Sequence, residues 1–208
     1  VPLPILSLLG ILLGGRIGYV LFYNLSYFAA HPSAILKVWE GGMAFHGGLI
    51  CVVLAVLFFA VRNRIPVLAV GDQVAFVAPI GLFFGRLANF INGELVGKVT
   101  NVPWGIVFPL VDMQTRHPSQ LYEAALEGLV LFLILNILVF GMSYKMGRCS
   151  YLFLICYGIF RIISEIFREP DVHIGYFFNL LSMGTILSLL MILSGLILLI
   201  FLRNRNEI

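Results

Sequence analysis

Apolar residues run along this chain in blocks of roughly 20, the length a helix needs to cross the hydrocarbon core of a bilayer. The blocks lie at about 3–24, 44–61, 70–91, 119–140, 150–167 and 178–202, with short polar links between them. The pattern predicts an all-α polytopic membrane protein of about six transmembrane helices, with 1–208 forming one domain. The third block opens at Gly71-Asp72, with Asp72 as its N-cap, carries Pro79 as a kink and stops at the turn signal Asn92-Gly93. The two longest links, 25–43 and 92–118, fall on one side of the membrane and predict a small loop region there.

Composition agrees with the pattern. Of 208 residues, 61% are hydrophobic and 11% charged, too little charge for a soluble domain of this size. The net charge of +3 gives no basis for a nucleic-acid partner. Arg62, Arg64, Lys145, Arg148, Arg203 and Arg205 flank one side of the predicted helices, and Lys37, Lys98, Arg116 and Arg168 the other. That bias orients the C-terminus to the cytoplasm and both long links to the outer face. Cys51, Cys149 and Cys156 form no CxxC pair and read as buried free thiols. His31, His46, His117 and His173 lack ligand spacing, so no metal is expected. No internal repeat supports an inverted-repeat transporter. The chain opens at Val1 within an apolar stretch and without a basic n-region, which reads as a mature or truncated form.

The polar residues inside the predicted helices are the informative ones, because ionisable groups at membrane depth are costly. Arg86 and Asn89 share a face near the outer end of the third block. Tyr157, Arg161 and Glu165 form a stripe near the outer end of the fifth, and Arg16, Tyr19 and Tyr23 line the first. His46 begins the second block, among Gly47 and Gly48. Each has a structural reading as well. Arg161 with Glu165 can be an internal ion pair that fixes packing, and Arg16 can snorkel or bond helix carbonyls. His46 can be an interfacial hydrogen-bonding residue, and the glycines can serve close helix packing. Glu123 and Glu127, four apart near the start of the fourth block, read as a solvated interfacial face for Glu123. Trp39, Trp104 and many tyrosines fit an aromatic belt. Together, three arginines within one bundle, two of them (Arg86 and Arg161) near the outer headgroups, and a histidine able to take a proton near neutral pH point to a phosphate-bearing lipid as ligand. A lipid carrier that moves headgroups without covalent change is the competing class, and a structural membrane subunit a third.

Five blocks in order carry a resemblance: Gly14-Gly15-Arg16-Ile17-Gly18-Tyr19; Trp39-Glu40-Gly41-Gly42-Met43-Ala44-Phe45-His46-Gly47-Gly48; Gly85-Arg86-Leu87-Ala88-Asn89-Phe90-Ile91-Asn92-Gly93-Glu94-Leu95-Val96-Gly97; Arg116-His117-Pro118-Ser119-Gln120-Leu121-Tyr122-Glu123; and Tyr157-Gly158-Ile159-Phe160-Arg161 through Glu165 to Arg168-Glu169-Pro170-Asp171. Over nearly its whole length the chain resembles the prolipoprotein diacylglyceryl transferases of bacteria. The resemblance implies a seven-helix inner-membrane enzyme whose first helix this chain lacks. It implies transfer of the diacylglyceryl group of phosphatidylglycerol to a lipobox cysteine, with no cofactor. It places essential arginines at Arg86 and Arg161 and a histidine at His46, with phosphatidylglycerol also held by Asn89 and Tyr157. Glu94, Gly97, Glu165, Asp72, Gly47, Arg16 and Tyr19 match supporting positions. The loop between Pro109 and Arg116 is short beside many relatives.

Overall fold

The computed structural model describes residues 2–22, 25–37, 42–43, 45–141, 145–169, 176–177 and 181–205. They are mostly helical, and each of the six predicted blocks contains a helix. The chain divides into two compact units, Val1–Val70 and Gly71–Ile208.

The first unit holds α1 (Leu3–Phe22), α2 (Leu25–Ala30), a 3-10 turn (Pro32–Leu36) and α3 (Phe45–Asn63). α1 and α3 meet along a seam of small residues. A Cβ on Gly14 would collide with the Gly47 carbonyl and sit 2.6 Å from Cys51 Sγ, and one on Gly47 would collide with the Gly14 carbonyl. Only glycine lets the two backbones come this close, as expected for helices that pack in lipid by shape. Val20, Phe28 and Ala34 form the buried core beside this seam, with Tyr19 and Ile35 against them.

The second unit contains most of α4 (Val67–Asn92), then a loop region with β1 (Ile106–Val107) paired to β2 (Thr115–Arg116). Next comes one long helical run: α5 (Ser119–Glu123), a π-helical stretch (Ala124–Val130) and α6 (Leu131–Phe140). α7 (Arg148–Glu165), a hairpin pairing β3 (Tyr176–Phe177) with β4 (Leu181–Ser182), and α8 (Met183–Arg205) complete it. α7 and α8 also pack through glycines: a Cβ on Gly158 would lie 2.8 Å from the Ser188 carbonyl, and one on Gly195 3.0 Å from that of Tyr151.

Leu3–Leu21, Val67–Asn92, Ser119–Leu138 and Gly184–Asn204 are each long and apolar enough to cross a membrane. α3 contributes a shorter apolar stretch, Ile50–Asn63, and α7 carries Arg148, Arg161 and Glu165, which lower its hydropathy. Large apolar side chains point outward all along these helices, such as Leu13, Val61, Ile137 and Ile197. That surface is costly in water and suits lipid. The protein is a multi-pass membrane protein.

Two expectations change. α4 begins at Val67, so Asp72 lies inside it and is not its N-cap. Asp72 caps a different helix, α7, whose own N-cap residue is Gly147, with φ +87° and no side chain to bond the first amides. The last helix starts at Met183, after the short hairpin, and not at 178.

The loop region that follows α4 is held by a small sheet and arginine contacts. Gly93 (φ +68°) and Leu95 (φ +53°) turn the chain away from α4. The stretch after them pairs on two sides, with Gly97 bridged to Arg168 and Val99 to Arg116. A Cβ on Gly97 would strike the His117 carbonyl and stand 2.9 Å from that of Phe167, so the three-way crossing requires glycine. Arg116 ties the region together, donating to Asp112 at 2.6 Å, to the Gly97 carbonyl at 2.9 Å and to Glu169 at 3.3 Å. The Arg116 hydrogen bond, with the Gln114 amide, holds the half-buried Asp112 carboxyl below its ordinary range.

Candidate active site

Arg86 comes from the last two turns of α4, and Arg161 from the last two turns of α7. The helical run between them in sequence supplies Glu123 and Glu127, both fully buried. Arg86 Nε lies 2.8 Å from Glu123 Oε2, and its Nη2 donates to Glu127 Oε2 at 3.2 Å. Arg161 Nη1 reaches the same pair, at 3.0 Å from Glu123 Oε2 and 3.4 Å from Glu127 Oε1. Arg161 Nη2 lies 2.7 Å from Glu165 Oε2, and Arg168 Nη1 stands 3.9 Å from Glu123 Oε2. Three arginines and three glutamates therefore form one continuous ion cluster around Glu123.

Local structure explains how both carboxylates face the same arginines. Glu123 ends α5, and Glu127 lies in the π-helical stretch that follows. A π stretch re-aims side chains within an otherwise regular helix, and such stretches are frequent at functional sites. Gly128 makes room beside it, since a Cβ there would lie 2.6 Å from Phe83 Cβ on α4. Gly184 does the same for Glu165: a Cβ would stand 2.8 Å from either carboxylate oxygen. The expectation that Glu123 sits on a solvated face is wrong. It is the buried centre of the cluster, with Arg86, Arg161 and Arg168 around it.

The cluster leaves donors and acceptors in hand. No described residue bonds Arg86 Nη1. Among the described residues, Glu123 Oε1, Gln120 Oε1 and Ser164 Oγ are buried without a hydrogen-bond partner. Arginine presents two edges, so an arginine held by carboxylates on one edge can offer the other to a phosphate.

The remaining predicted residues fall in two groups. Asn89 donates to Glu94 Oε2 at 3.1 Å, one turn beyond Arg86, while Gln120 Nε2 donates to the Glu94 carbonyl at 2.6 Å. Tyr157 lies one turn before Arg161 and stacks on Phe153 at 5.5 Å. Gly97 is the crossing point of the loop sheet, and Asp72 lies at the opposite end of α4. In the first unit, Arg16 is buried and donates to four loop carbonyls, those of Ala34 (2.6 Å), Ile35 (2.9 Å), Gly42 (3.1 Å) and Lys37 (3.1 Å). Its guanidinium also lies 5.1 Å from the Phe28 ring centroid. Tyr19 covers Gly42 and meets Phe28 edge-on. Gly47 belongs to the α1–α3 seam. His46 lies in the first turn of α3, and its side chain, like Tyr23, Trp39, Glu40, Gly41, Pro170, Asp171 and His173, is outside the described residues. Sequence reasoning missed Glu123, Glu127 and Arg168 as site residues.

Comparison with known proteins shows the family. Residues 3–201 match the family model described as prolipoprotein diacylglyceryl transferase. The chain is 52% identical over 202 residues to the phosphatidylglycerol–prolipoprotein diacylglyceryl transferase of Bradyrhizobium diazoefficiens, covering 95% of this chain and 72% of that protein. It is 54% identical over 196 residues to the enzyme of the same name from Rickettsia bellii, covering 93% and 74%. With the one from Rhodospirillum rubrum it shares 53% identity over 203 residues, covering 96% and 74%. A chain matched over nearly all its length by that model, with its signature arginines meeting on a pair of buried carboxylates, belongs to the prolipoprotein diacylglyceryl transferase family.

Proposed function

We propose that this protein transfers the diacylglyceryl group of phosphatidylglycerol to the lipobox cysteine of a prolipoprotein in the bacterial cytoplasmic membrane. The site faces the outer leaflet and the C-terminus lies in the cytoplasm. One observation carries the reading: Arg86 and Arg161, from separate helices, are held on the same two buried carboxylates.

The thiolate sulfur attacks the glycerol carbon that bears the phosphate. The S–C bond forms as the C–O bond breaks, and glycerol phosphate leaves with the electron pair. The thiol proton goes to a base. A cysteine thiol has a pKa of about 8.5, so little of it is ionised at neutral pH. His46 is the proposed base.

The leaving phosphate gains negative charge as the bond breaks. Arg86 and Arg161 stabilise that charge more in the transition state than in the bound lipid. In a low-dielectric site one such contact is worth roughly 3 kcal/mol, about 100-fold in rate. Glu123 and Glu127 keep both guanidiniums oriented before the lipid arrives, and Glu165 braces Arg161 from the other edge. Asn89, Glu94 and Tyr157 border the lipid headgroup. Arg16, Tyr19 and Gly47 support the first unit.

The test is mass spectrometry of a lipobox peptide incubated with phosphatidylglycerol and the purified protein, beside Arg86→Ala. A diacylglyceryl mass gain, lost in the variant, supports the transfer and the arginine together. Lipid movement between leaflets without any mass gain would instead support a lipid carrier.

A further inference from the structure

Asp72 lies far from the ion cluster, yet it is 3% exposed and its bonds are specific. Its Oδ2 accepts from the Gly147 amide at 2.7 Å. Its Oδ1 accepts from both the Ser150 amide and the Ser150 hydroxyl at 2.8 Å. The first amides of a helix have no partner within it, and a carboxylate there satisfies them and complements the helix dipole. Capping is normally local, by the residue that opens the helix. Here that residue is Gly147, and the cap comes from α4, 75 residues earlier in the chain.

The consequence is geometric. Asp72 precedes Arg86 on α4 by roughly 21 Å of helix, and Ser150 precedes Arg161 on α7 by roughly 17 Å. α4 and α7 thus run in the same direction and are tied at both ends. One tie is the Asp72 cap, and the other is the pair of carboxylates shared by Arg86 and Arg161. α7 also packs against α8 through Gly158 and Gly195, but those contacts do not fix it relative to α4. Among the aromatic contacts of α4, Phe76 meets Phe132 of the α5–α6 run at 5.9 Å and Phe90 meets Phe108 of the loop region at 6.0 Å, and neither partner belongs to α7.

We propose that Asp72 is a positioning residue. By capping α7 from α4 it sets the axial register between the two helices, and so the placement of Arg161 relative to Arg86. Its effect on rate rests on the transferase reading above; its effect on register does not.

The geometry supplies a direct replacement for the cap. A Cβ on Gly71 would stand 3.1 Å from Ser150 Oγ, close to the span from a cysteine Cβ to the partner sulfur in a disulfide. The experiment uses the full chain with Cys51, Cys149 and Cys156 replaced by alanine. Lipidation of the lipobox peptide is followed for Asp72→Ala alone and for Asp72→Ala with Gly71→Cys and Ser150→Cys, oxidised and reduced. Asp72→Ala is expected to lower kcat by tenfold to about a hundredfold, the scale of a small misplacement of catalytic groups, with KM for phosphatidylglycerol nearly unchanged. The oxidised cross-link is expected to restore kcat, and reduction to remove the gain. A cross-linked protein as slow as Asp72→Ala would overturn the proposal. Ser150→Ala, which removes the hydroxyl bond and keeps those from the Gly147 and Ser150 amides, gives a milder variant should Asp72→Ala not fold; normal kcat there, with the label distance below unchanged, would likewise overturn it.

A second readout is independent of activity. Spin labels at the exposed positions Ile91 and Ile166, beside the two arginines, report the register directly. A shifted or broadened distance in Asp72→Ala is expected, and an unchanged distribution would overturn the proposal even if no variant were active. Absence of transfer by the parent protein, with the distance shift present, would count against the function and not against the tie.

Discussion

Arg16 in the first unit and Arg86 in the second both lie on helices long and apolar enough to cross a membrane, yet they are held in opposite ways. Arg16 is wrapped by four loop carbonyls and an aromatic ring, all neutral. Arg86 and Arg161 are held by side-chain carboxylates, which are shared between them. Carbonyls that belong to the backbone cannot move without unfolding the loop, so Arg16 is a fixed strut. Carboxylate side chains can yield one edge of a guanidinium to an incoming phosphate. On the proposed function, the difference separates an arginine that builds the fold from arginines available for chemistry.

Glu123 is where this contrast breaks most severely. Glu123→Ala would leave Arg86, Arg161 and Arg168 around an empty, buried centre, and removing one partner of a buried pair typically costs 3–5 kcal/mol. Loss of both folded yield and transfer is expected, read by detergent thermal unfolding beside lipidation rate. A folded Glu123→Ala protein with normal turnover would show the cluster to be dispensable. Arg16→Ala comes next, because it strips four carbonyls of a charged donor. A stability loss of roughly 2–4 kcal/mol is expected, with turnover per folded molecule largely kept. A selective loss of turnover would move Arg16 into the chemistry.

The histidine gives a smaller and more specific effect. His46→Gln is expected to slow transfer at pH 7 and to recover partly as pH rises, because the peptide thiol then ionises unaided. A defect of equal size at every pH would make His46 an orienting group. The smallest effect is expected at Asp112. Its carboxyl is held below the ordinary range by Arg116, so its contribution is present at neutral pH and fades as the solution is acidified through the lowered value. Asp112→Asn should leave neutral-pH turnover unchanged and flatten the acid limb of stability; a large loss at neutral pH would refute the assignment.

The helices were legible because lipid imposes one length and one polarity on them. Arg86, Asn89, Arg161 and Glu165 were legible because they repeat at helical spacing in an otherwise apolar setting, and the 2.7 Å Arg161–Glu165 contact is the expected internal pair. Glu123 reads as solvated in the sequence because acids near a helix start look so, and Glu127 carries no signal of its role. Their partners lie 37 and 34 residues away, on other helices, and the π stretch that aims Glu127 leaves no mark in hydrophobic periodicity. Asp72 was read as a cap and is one, but for a helix 75 residues later. The glycines of α1 and α3 were legible as small residues, but which pairs touch depends on helix register, and that emerges only on packing.

The most direct measurement is the lipidation rate per folded molecule of Arg86→Lys beside Arg16→Lys. Lysine keeps the charge and loses the planar fork. The account predicts that Arg86→Lys falls about 100-fold with its unfolding midpoint nearly unchanged, close to the effect of Arg86→Ala. It predicts the reverse for Arg16→Lys, a lower midpoint with turnover nearly kept. Near-normal turnover by Arg86→Lys would contradict the claim that Arg86 is a fork held ready for phosphate.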